Sequence, residues 1–497
     1  MDIKMRRQNE KIGALVKDFA ERSVDYYNTL PEQPVCHPAG KKTMDALKRQ
    51  TIPEEGRSVE KVYGEMIREA YSHVIPVQHP RSFSCVPSTA SMISWLGDVM
   101  TSMYNPHAGC RINAPAADLI EKKLIRWMCD LAGYPEQSGG LFVSGGSMAN
   151  LTALTAARDS RLSFEERSRA VVYVSDQTHS SVAKGLLVIG FRMDQIRKMT
   201  TDETFRMDAA ALESAVTEDA AVGRKPFAVV ASAGTTNTGS VDPLTEIAAV
   251  CRKYGMWMHV DGAFGASALL SGQQRKKLSG IKFSDSLSWD AHKWMMQTYS
   301  CSAVLIRDRS ALVRSFAAHP EYLMDAETSA DGVEFWDLGP ELTRPARGLK
   351  LWITLQTLGS REMGRAVDHG CAMADLAEKL IRRLPGWEIV SPAQLGVLNF
   401  RYVPQAGRKG RNIAGINADP DVKSDAETDE INREISRRIT EGGFAQIFTT
   451  ELHARKVLRM CTIHPETTEE DIRETVSWLN EIACGLASGR EESSAAC

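Results

Sequence analysis

Residues 257–265 read WMHVDGAFG and join a short, mostly apolar run to an acid at its carboxyl end. Trp257–Val260 has the length of a strand, and apolar residues on both faces are typical of a strand buried between two layers of helices. Three further runs of this kind are separated by helical stretches: Val171–Val174, Phe227–Val230 and Ser302–Ile306. The pattern predicts an α/β fold with a mostly parallel central sheet.

The composition is that of an ordinary globular protein and argues against several kinds of partner. Of the 497 residues, 43% are hydrophobic and 25% are charged, and the formal net charge of −3 gives no reason to expect nucleic acid or an anionic membrane. The ten cysteines form no CxxC pair, so neither a zinc site nor a disulfide framework is indicated. No apolar run approaches the roughly 20 residues that span a bilayer. The charged amino terminus lacks the pattern of a secretory signal, and we expect a cytoplasmic protein.

The length suggests more than one domain. Residues 1–78 alternate helical patterns with proline-containing links and predict a helical arm. Its apolar faces need another surface to cover them, so we expect the arm to take part in dimerisation. We predict a large domain over residues 79–347, a smaller C-terminal α+β domain over residues 348–485 and a disordered tail over residues 486–497. The polar stretch 404–430 predicts a mobile surface insertion.

Polar residues follow these strand runs, at the edge where ligands of open α/β sheets bind. His179 follows the first run, a Gly-Thr-Thr turn that contains Thr236 follows the second, and Asp261 follows the third. Taken alone, the histidine is more often structural, and the acid can be a helix cap. Taken together, the side chains converge on one cleft, where a buried carboxylate needs a cation or a donor as its partner.

The turn 144–147, SGGS, precedes an amphipathic helix, so its backbone N–H groups and the helix dipole favour an anion. The turn matches neither the dinucleotide fingerprint GxGxxG nor the phosphate loop GxxxxGK[ST]. Any phosphate bound there therefore belongs to another kind of cofactor. An N-capped helix with a glycine turn is the alternative interpretation of this segment.

Lys293 lies in the segment 288–297, SWDAHKWMMQ, among mostly apolar neighbours. A lysine so placed must reach water or lose its charge, and a neutral amine is a nucleophile. A phosphate cradle, an aromatic side chain that can stack, a carboxylate for a ring nitrogen and an amine are the groups that pyridoxal 5′-phosphate (PLP) requires. The residues therefore predict a PLP enzyme in which Lys293 forms a Schiff base with the cofactor.

Four motifs in order along the chain resemble those of the group II PLP-dependent amino-acid decarboxylases, which have the aspartate-aminotransferase-like fold type I. The likeness covers roughly residues 55–485. It is strongest to aromatic L-amino-acid decarboxylases, and among those to bacterial-type tryptophan decarboxylases, which share VSGGSMAN, SWDAHKW and ELTRPARGLKLW. The four motifs are SDQTHSSVAKG (175–185), HVDGAFG (259–265), DAHKW (290–294) and PEYL (320–323).

The resemblance implies a role for each matching residue. Lys293 would form the Schiff base, Asp261 would keep the pyridine nitrogen protonated, and His179 would stack on the ring and approach the substrate carboxylate. Tyr322 would close over the neighbouring subunit's site and deliver a proton to the substrate. Relatives with Phe at that position tend toward aldehyde formation, so the tyrosine favours simple decarboxylation. The remaining cofactor contacts would come from Gly146, Ser147, Thr236 and His292.

Asp290 departs from the animal relatives, which have an Asn there in contact with the phosphate. The tryptophan-decarboxylase-like relatives share the Asp, so the departure leaves the family resemblance intact. A phosphate would repel an acid beside it, so we expect Asp290 to turn away or to serve another contact.

The resemblance also implies a substrate pocket, part of it supplied by the partner subunit of a homodimer. Cys85 replaces an aromatic residue of the tryptophan-decarboxylase-like relatives, which predicts a larger pocket that accepts indole or a ring-substituted indole. Core packing is the alternative for Trp336 and Leu342. The implied pocket residues are Cys85, Val86, Pro87, Ser88, His107, Trp336, Leu342 and Thr343.

These features predict decarboxylation of an aromatic L-amino acid, with L-tryptophan giving tryptamine and CO2 as the first choice. An apolar pocket discriminates against one missing group by only about 1–3 kcal/mol, so phenylalanine and tyrosine should also react. A decarboxylase of phenylalanine or tyrosine, or of a non-aromatic amino acid such as glutamate, stays open, as does a PLP aminotransferase. An inactive descendant is disfavoured because Lys293 and Tyr322 are both present.

Overall fold

The computed structural model describes residues 9–86, 89–318, 333–404 and 421–487. Some of the sequence predictions fall outside these ranges. They concern Pro87 and Ser88 of the implied pocket, Tyr322 of the implied closing loop, residues 405–420 of the predicted insertion and residues 488–497 of the predicted tail.

The described amino-terminal part is helical and leaves apolar side chains uncovered. The helices are α1 (Asn9–Thr29), α2 (Lys41–Arg49), α3 (Val59–Glu69) and α4 (Met92–Tyr104). The first three have no buried residue, and Val16 of α1 is 58% exposed. Uncovered apolar faces are what the sequence predicts for an arm, and the boundary at residue 78 stays a prediction.

A seven-stranded sheet forms the centre of the chain, in the spatial order β1-β7-β6-β5-β4-β2-β3. Strands β3, β2, β4, β5 and β6 run parallel to one another, and β7 is antiparallel to both β6 and β1. The strands are β1 (Gly139–Val143), β2 (Ala170–Ser175), β3 (Ile196–Met199), β4 (Lys225–Ser232), β5 (Trp257–Asp261), β6 (Ser286–Asp290) and β7 (Ser302–Ile306).

The four predicted strands are present as β2, β4, β5 and β7, and the α/β fold is confirmed. The mostly parallel character of the sheet is confirmed as well, and β7 is the strand that runs antiparallel to its neighbours. Only the short connection 291–301 joins it to β6, and a parallel crossover needs a dozen or more residues. The sequence patterns also missed β1, β3 and β6 as strands.

Both faces of the central sheet are covered, as the apolar runs predict. Along β2, Val171 and Tyr173 pack into one apolar cluster while Val172 and Val174 pack into a second cluster. This alternation explains why the strand is apolar at every position. The intervening helices are α5 (Pro115–Ala132), α6 (Gly146–Arg161), α7 (Ser180–Val188), α8 (Ala209–Ala221), α9 (Leu244–Tyr254) and α10 (Ser310–Phe316).

A smaller antiparallel sheet and its helices form the C-terminal part, with a separate apolar core. Its strands lie in the order β10-β11-β9-β8, and the predicted α+β character is confirmed. The elements are α11 (Leu349–Leu358), α12 (Ser360–Ile381), β8 (Trp387–Gln394), β9 (Val397–Tyr402), α13 (Asp421–Glu441), β10 (Phe448–Leu452), β11 (Arg455–Cys461) and α14 (Glu469–Ala487).

Helix α13 corrects part of the predicted insertion, because residues 421–430 are helical. Their polar composition suggested a mobile surface segment. Further along the same helix, Ile435 and Ile439 lie one turn apart and are buried in the C-terminal core. Burial of this apolar face stabilises the helix, whose first turns are polar.

Within the described ranges, no helix combines the length and apolar character needed to cross a bilayer. The same residues contain no group of three or more His, Cys, Asp or Glu side chains placed to hold a metal ion.

Candidate active site

A cavity of about 280 Å³ opens where β4, β5 and β6 end, beside the start of α6 and the turn before α7. Strand ends, helix starts and turns supply its wall, as expected for the carboxyl edge of a parallel sheet. The structure brings all seven predicted cofactor residues into this one cavity. They are Gly146, Ser147, His179, Thr236, Asp261, His292 and Lys293.

The amino terminus of α6 forms one end of the cavity. The first N–H groups of a helix have no carbonyl partner within it, and the helix dipole favours negative charge there. A Cβ atom on Gly146 would lie 2.9 Å from Oδ2 of Asp290 and 3.1 Å from Cβ of Ala263. Glycine at this position therefore lets the start of α6 lie close to Asp290 and Ala263 without a clash.

Asp261 ends β5 with its side chain in the cavity wall. Oδ1 accepts a backbone N–H and the Ser288 hydroxyl, both at 3.1 Å, and Oδ2 accepts Nδ2 of Asn150 at 3.0 Å. Burial by itself raises the pKa of Asp261, but the charge of the nearby Lys293, together with hydrogen-bond donors, lowers it below its usual value. The carboxylate is therefore held ionised and can stabilise a protonated ring nitrogen.

His179 caps the amino terminus of α7, and its ring lines the cavity. Its Nδ1 accepts the backbone N–H of Ser181 at 3.2 Å and lies 2.8 Å from the Ser181 hydroxyl. A backbone N–H can only donate, so Nδ1 carries no proton and the ring proton lies on Nε2. In this state the ring can stack on a planar ligand and donate Nε2–H to a carboxylate.

Lys293 keeps 18% of its side chain exposed, whereas the next three residues, 294–296, are buried. Its Nζ lies 3.1 Å from Oδ2 of Asp290. The lysine thus lines the cavity with a carboxylate partner, rather than having the wholly apolar surroundings that its sequence neighbours suggest.

Asp290 ends β6 and is almost completely buried. Besides Lys293, its carboxylate accepts the Ser302 hydroxyl of β7 and lies 3.6 Å from Nε2 of His292. It also borders Gly146 at the start of α6. The sequence predicted that Asp290 would either turn away from the phosphate or serve another contact, and the structure shows it in other contacts.

Several polar residues of the site were not found from the sequence. Asn150 and Ser181 lie on helices, His259 lies within the mostly apolar run of β5, and Ser288 belongs to β6, which was not predicted. A usable signal is the alternation along each strand, because residues two apart face the same side. His259 shares a face with Asp261, and the register places them opposite Ser286 and Ser288.

Arg459 of β11 connects the smaller sheet to the site and was also missed. Its guanidinium donates to the backbone oxygen of Thr236 at 3.1 Å and to that of Ser84 at 2.6 Å. One cation thus joins the turn after β4 to the segment just before Cys85. The two partners lie 152 positions apart, so no local pattern indicates the contact.

The implied substrate residues are placed less uniformly than the cofactor residues, and none of those described lines the cavity that contains Lys293. Cys85 is half-buried and Val86 is buried. His107, Trp336 and Leu342 surround Gly109: a Cβ atom there would lie 2.6 Å from His107 Cε1, 2.6 Å from the Leu342 oxygen and 3.2 Å from Trp336 Cε3.

Core packing is the alternative interpretation for both Trp336 and Leu342, and the two side chains differ in burial. Trp336 is buried, which agrees with core packing, although its Nε1 has no hydrogen-bond partner among the described residues. Leu342 is 48% exposed, and the adjacent Thr343 is exposed as well. Core packing is therefore wrong for Leu342, and a pocket shared with a partner subunit stays a prediction.

Comparison with known proteins agrees with this geometry. The family model described as "Pyridoxal-dependent decarboxylase conserved domain" matches residues 41–403. The chain belongs to the pyridoxal-dependent decarboxylases. The family resemblance drawn from the motifs is thereby confirmed, as is PLP as the cofactor.

Two relatives and one solved structure illustrate the range of this family. An aromatic-L-amino-acid decarboxylase from Bacillus atrophaeus is 37% identical over 475 residues, which are 95% of this chain and 96% of the relative. A phenylacetaldehyde synthase from Arabidopsis thaliana is 28% identical over 492 residues, 96% of each chain. The crystal structure of Oryza sativa TDC with PLP and tryptamine has a TM-score of 0.87 and 27% identity, covering 96% of this chain and 99% of that chain.

The described cavity fits the cofactor of this pyridoxal-dependent family. The open amino terminus of α6 suits an anionic phosphate, the ionised Asp261 suits a protonated ring nitrogen, and Lys293 supplies a primary amine for an aldehyde. The donors, acceptors and charges thus correspond to the three functional parts of PLP.

Proposed function

We propose that the chain decarboxylates an aromatic L-amino acid, and that L-tryptophan, which yields tryptamine and CO2, is its preferred substrate. The observation that carries the proposal is the meeting of Lys293, Asp261 and His179 in one cavity at the carboxyl edge of the sheet. The aromatic-L-amino-acid decarboxylase from Bacillus atrophaeus and the tryptamine bound to Oryza sativa TDC support the aromatic substrate.

When bound, PLP supplies an electron sink for the bond between the substrate's Cα and its carboxylate. Lys293 would hold the cofactor and give up its position to the substrate amine. Asp261 would keep the ring nitrogen protonated, and His179 would stack on the ring and use Nε2–H to orient the departing carboxylate. Gly146 and Ser147 would bind the phosphate with backbone N–H groups, while Thr236 and His292 would border the ring and the phosphate.

The aromatic preference depends on the segment around Cys85. The motif comparison puts an aromatic residue there in tryptophan-decarboxylase-like relatives, and a cysteine leaves a larger space beside the substrate. Such a space suits an indole or a ring-substituted indole. A smaller phenyl ring would bind in this space with only a modest loss of binding free energy. Phenylalanine and tyrosine are therefore expected to react more slowly, but not to be excluded.

A competition assay tests the substrate proposal. The purified enzyme is incubated with tryptophan, 4-hydroxytryptophan, phenylalanine, tyrosine and glutamate, and CO2, amine, aldehyde and keto acid are quantified for each substrate. We expect the highest kcat/KM for tryptophan, with amine and CO2 in equal amounts. A preference for glutamate would overturn the aromatic assignment, and a keto acid without CO2 would indicate an aminotransferase.

Aldehyde production is a second candidate function, because the Arabidopsis relative is a phenylacetaldehyde synthase. We propose that Tyr322 suppresses this outcome by giving its proton to the substrate's Cα. Replacing Tyr322 with Phe removes the acidic hydroxyl, so we expect the main product to change from amine to aldehyde, with dioxygen as the oxidant and ammonia and hydrogen peroxide released. Gas release together with amine and aldehyde yields gives the measurement, and an unchanged amine yield in the variant would contradict the assigned role.

We propose that the active enzyme is a homodimer in which α1 packs against the partner. Val16 is 58% exposed on α1, and an apolar side chain in such a helical stripe needs a cover. Val16→Asp should dissociate the dimer at low micromolar concentration and lower activity in parallel. Lys17→Asp introduces the same side chain at the next exposed position and should leave the dimer intact. Sedimentation of both variants is the measurement, and a fully dimeric Val16→Asp would contradict this interface.

Asp290 should weaken cofactor binding, because its carboxylate borders the proposed phosphate site at Gly146. Asp290→Asn removes this negative charge while keeping the side-chain size. We expect PLP to bind about fivefold more tightly, which corresponds to about 1 kcal/mol. Pyridoxal, which lacks the phosphate, is the control ligand, and its affinity should not improve. Equal gains for both ligands would show that the charge does not act on the phosphate.

A further inference from the structure

A chain of buried hydrogen bonds runs behind the cavity and ends on the proposed cofactor carboxylate. Trp257 donates its indole N–H to the Ser286 hydroxyl at 2.8 Å, and that hydroxyl lies 2.8 Å from Nδ1 of His259. Nε2 of His259 lies 2.9 Å from Oδ1 of Asn150, whose Nδ2 donates to Asp261 at 3.0 Å. The middle residues of the chain are at most 1% exposed.

The direction of every hydrogen bond in this chain is determined. A carboxylate only accepts, so the Asn150 amide must present Nδ2 to Asp261 and Oδ1 to His259. Because Oδ1 only accepts, Nε2 of His259 carries a proton. Burial lowers the pKa of His259 and favours its neutral form, so Nδ1 accepts the hydroxyl proton of Ser286. Each group has a partner, and flipping the amide would bring two oxygens together.

A second branch of the same network reaches the ring that is proposed to stack on the cofactor. Asn150 uses its other N–H to donate to the Ser181 hydroxyl at 3.1 Å. That hydroxyl in turn donates to Nδ1 of His179 at 2.8 Å, which leaves the His179 proton on Nε2. One amide thus contacts both the carboxylate and the Ser181 hydroxyl beside the histidine, whose tautomer is fixed by the Ser181 backbone N–H.

We propose that His259 is a positioning residue which acts through Asn150 to aim the Asp261 carboxylate at the cofactor's ring nitrogen. His259 is absent from the described lining of the cavity, so its effect is transmitted by the hydrogen bond to Asn150. The inference rests on the proposed function, in which Asp261 pairs with the ring nitrogen.

The affinities for two PLP-type ligands distinguish a positioning role of His259 from a merely structural one. The dissociation constants of the apoenzyme are measured for PLP and for the analogue that has carbon in place of the ring nitrogen. His259→Leu removes the donor to Asn150 and should weaken PLP binding by about tenfold or more, while the affinity for the carbon analogue should change less than about twofold. His259→Gln keeps an N–H at the end that faces Asn150 and should restore most of the PLP affinity.

Other outcomes would overturn the inference in a recognisable way. An equal loss for both ligands, together with a lower melting temperature of the apoenzyme, would assign His259 to the stability of the sheet alone. Unchanged PLP affinity in His259→Leu would remove the positioning role. Should this variant fail to fold, Ser286→Ala removes only the far end of the chain. We expect a selective PLP loss of about threefold from it, and no selectivity would overturn the inference.

The wild-type enzyme distinguishes failure of this inference from failure of the proposed function. Wild-type protein that binds PLP and the carbon analogue equally well contradicts the role of Asp261 itself. Wild-type protein that prefers PLP, together with a His259→Leu variant that keeps the same preference, contradicts only the role of His259.

Discussion

Lys293→Ala is expected to abolish turnover and the visible absorbance that a Schiff base with PLP produces. Among the described residues that line the cavity, Lys293 is the one primary amine. Without it, no other lining side chain can hold the cofactor covalently or release the product from it. Absorbance of the reconstituted protein, initial rates with tryptophan, and borohydride reduction followed by peptide mass measurement check this expectation.

Lys253→Ala is the matched control for that experiment. Lys253 lies on α9, has a 63% exposed side chain and pairs with Glu213 at 2.6 Å, away from the cavity. This variant should keep the absorbance, the turnover and the borohydride label on the peptide that contains Lys293. An active Lys293→Ala protein, or a wild-type label on a different lysine, would overturn the proposed site.

Asp261→Asn is expected to lower kcat by about a hundredfold to a thousandfold, the range observed when a preorganised electrostatic partner of the transition state is removed. The wild-type carboxylate is ionised because Lys293 and its hydrogen-bond donors outweigh the effect of burial on its pKa. An amide has nearly the same shape but no charge, so it cannot keep the ring nitrogen protonated. Electrons released with CO2 then have a weaker acceptor. Steady-state kinetics with tryptophan gives the measurement.

The Asp261→Asn protein should still retain PLP on Lys293, because the amine and the phosphate cradle are unchanged. Borohydride labelling at the wild-type level, with a similar melting temperature, would show that the lost rate is not lost cofactor or lost fold. One unit of pKa difference corresponds to about 1.4 kcal/mol, which is a factor of about ten in rate. A kcat within about threefold of the wild type would therefore contradict the proposed pairing with the ring nitrogen.

The fold was predictable where the chain carries strong local signals. The apolar runs of β2, β4, β5 and β7 are buried on both faces, and each gave a correct strand. Strand β6 escaped notice because SLSWD alternates polar and apolar residues. Its serines face a buried polar layer rather than water. The direction of β7 depended on the length of the connection before it, a property that composition does not show.

The site was predictable to the extent that its residues follow strands. Asp261 ends β5 and His179 lies in the turn after β2, and the parallel sheet brings such positions to one edge. The motifs around Lys293 gave the family, the fold type and the cofactor. No such geometric rule applies to the implied substrate residues. Those that the structure describes do not line the cavity that contains Lys293.

By itself, the sequence determined four strands of the central sheet, the lysine, acid and histidine near strand ends, and the chemistry that such groups share. These features are local, since each depends on a few neighbouring residues and on the burial of an apolar run. Only the tertiary structure decided which polar atoms meet: Asn150 with both Asp261 and Ser181, His259 with Ser286, and Arg459 with Thr236. Hydrogen bonds require atoms within about 3 Å, and that proximity is set by the packing of distant segments rather than by their spacing in the chain.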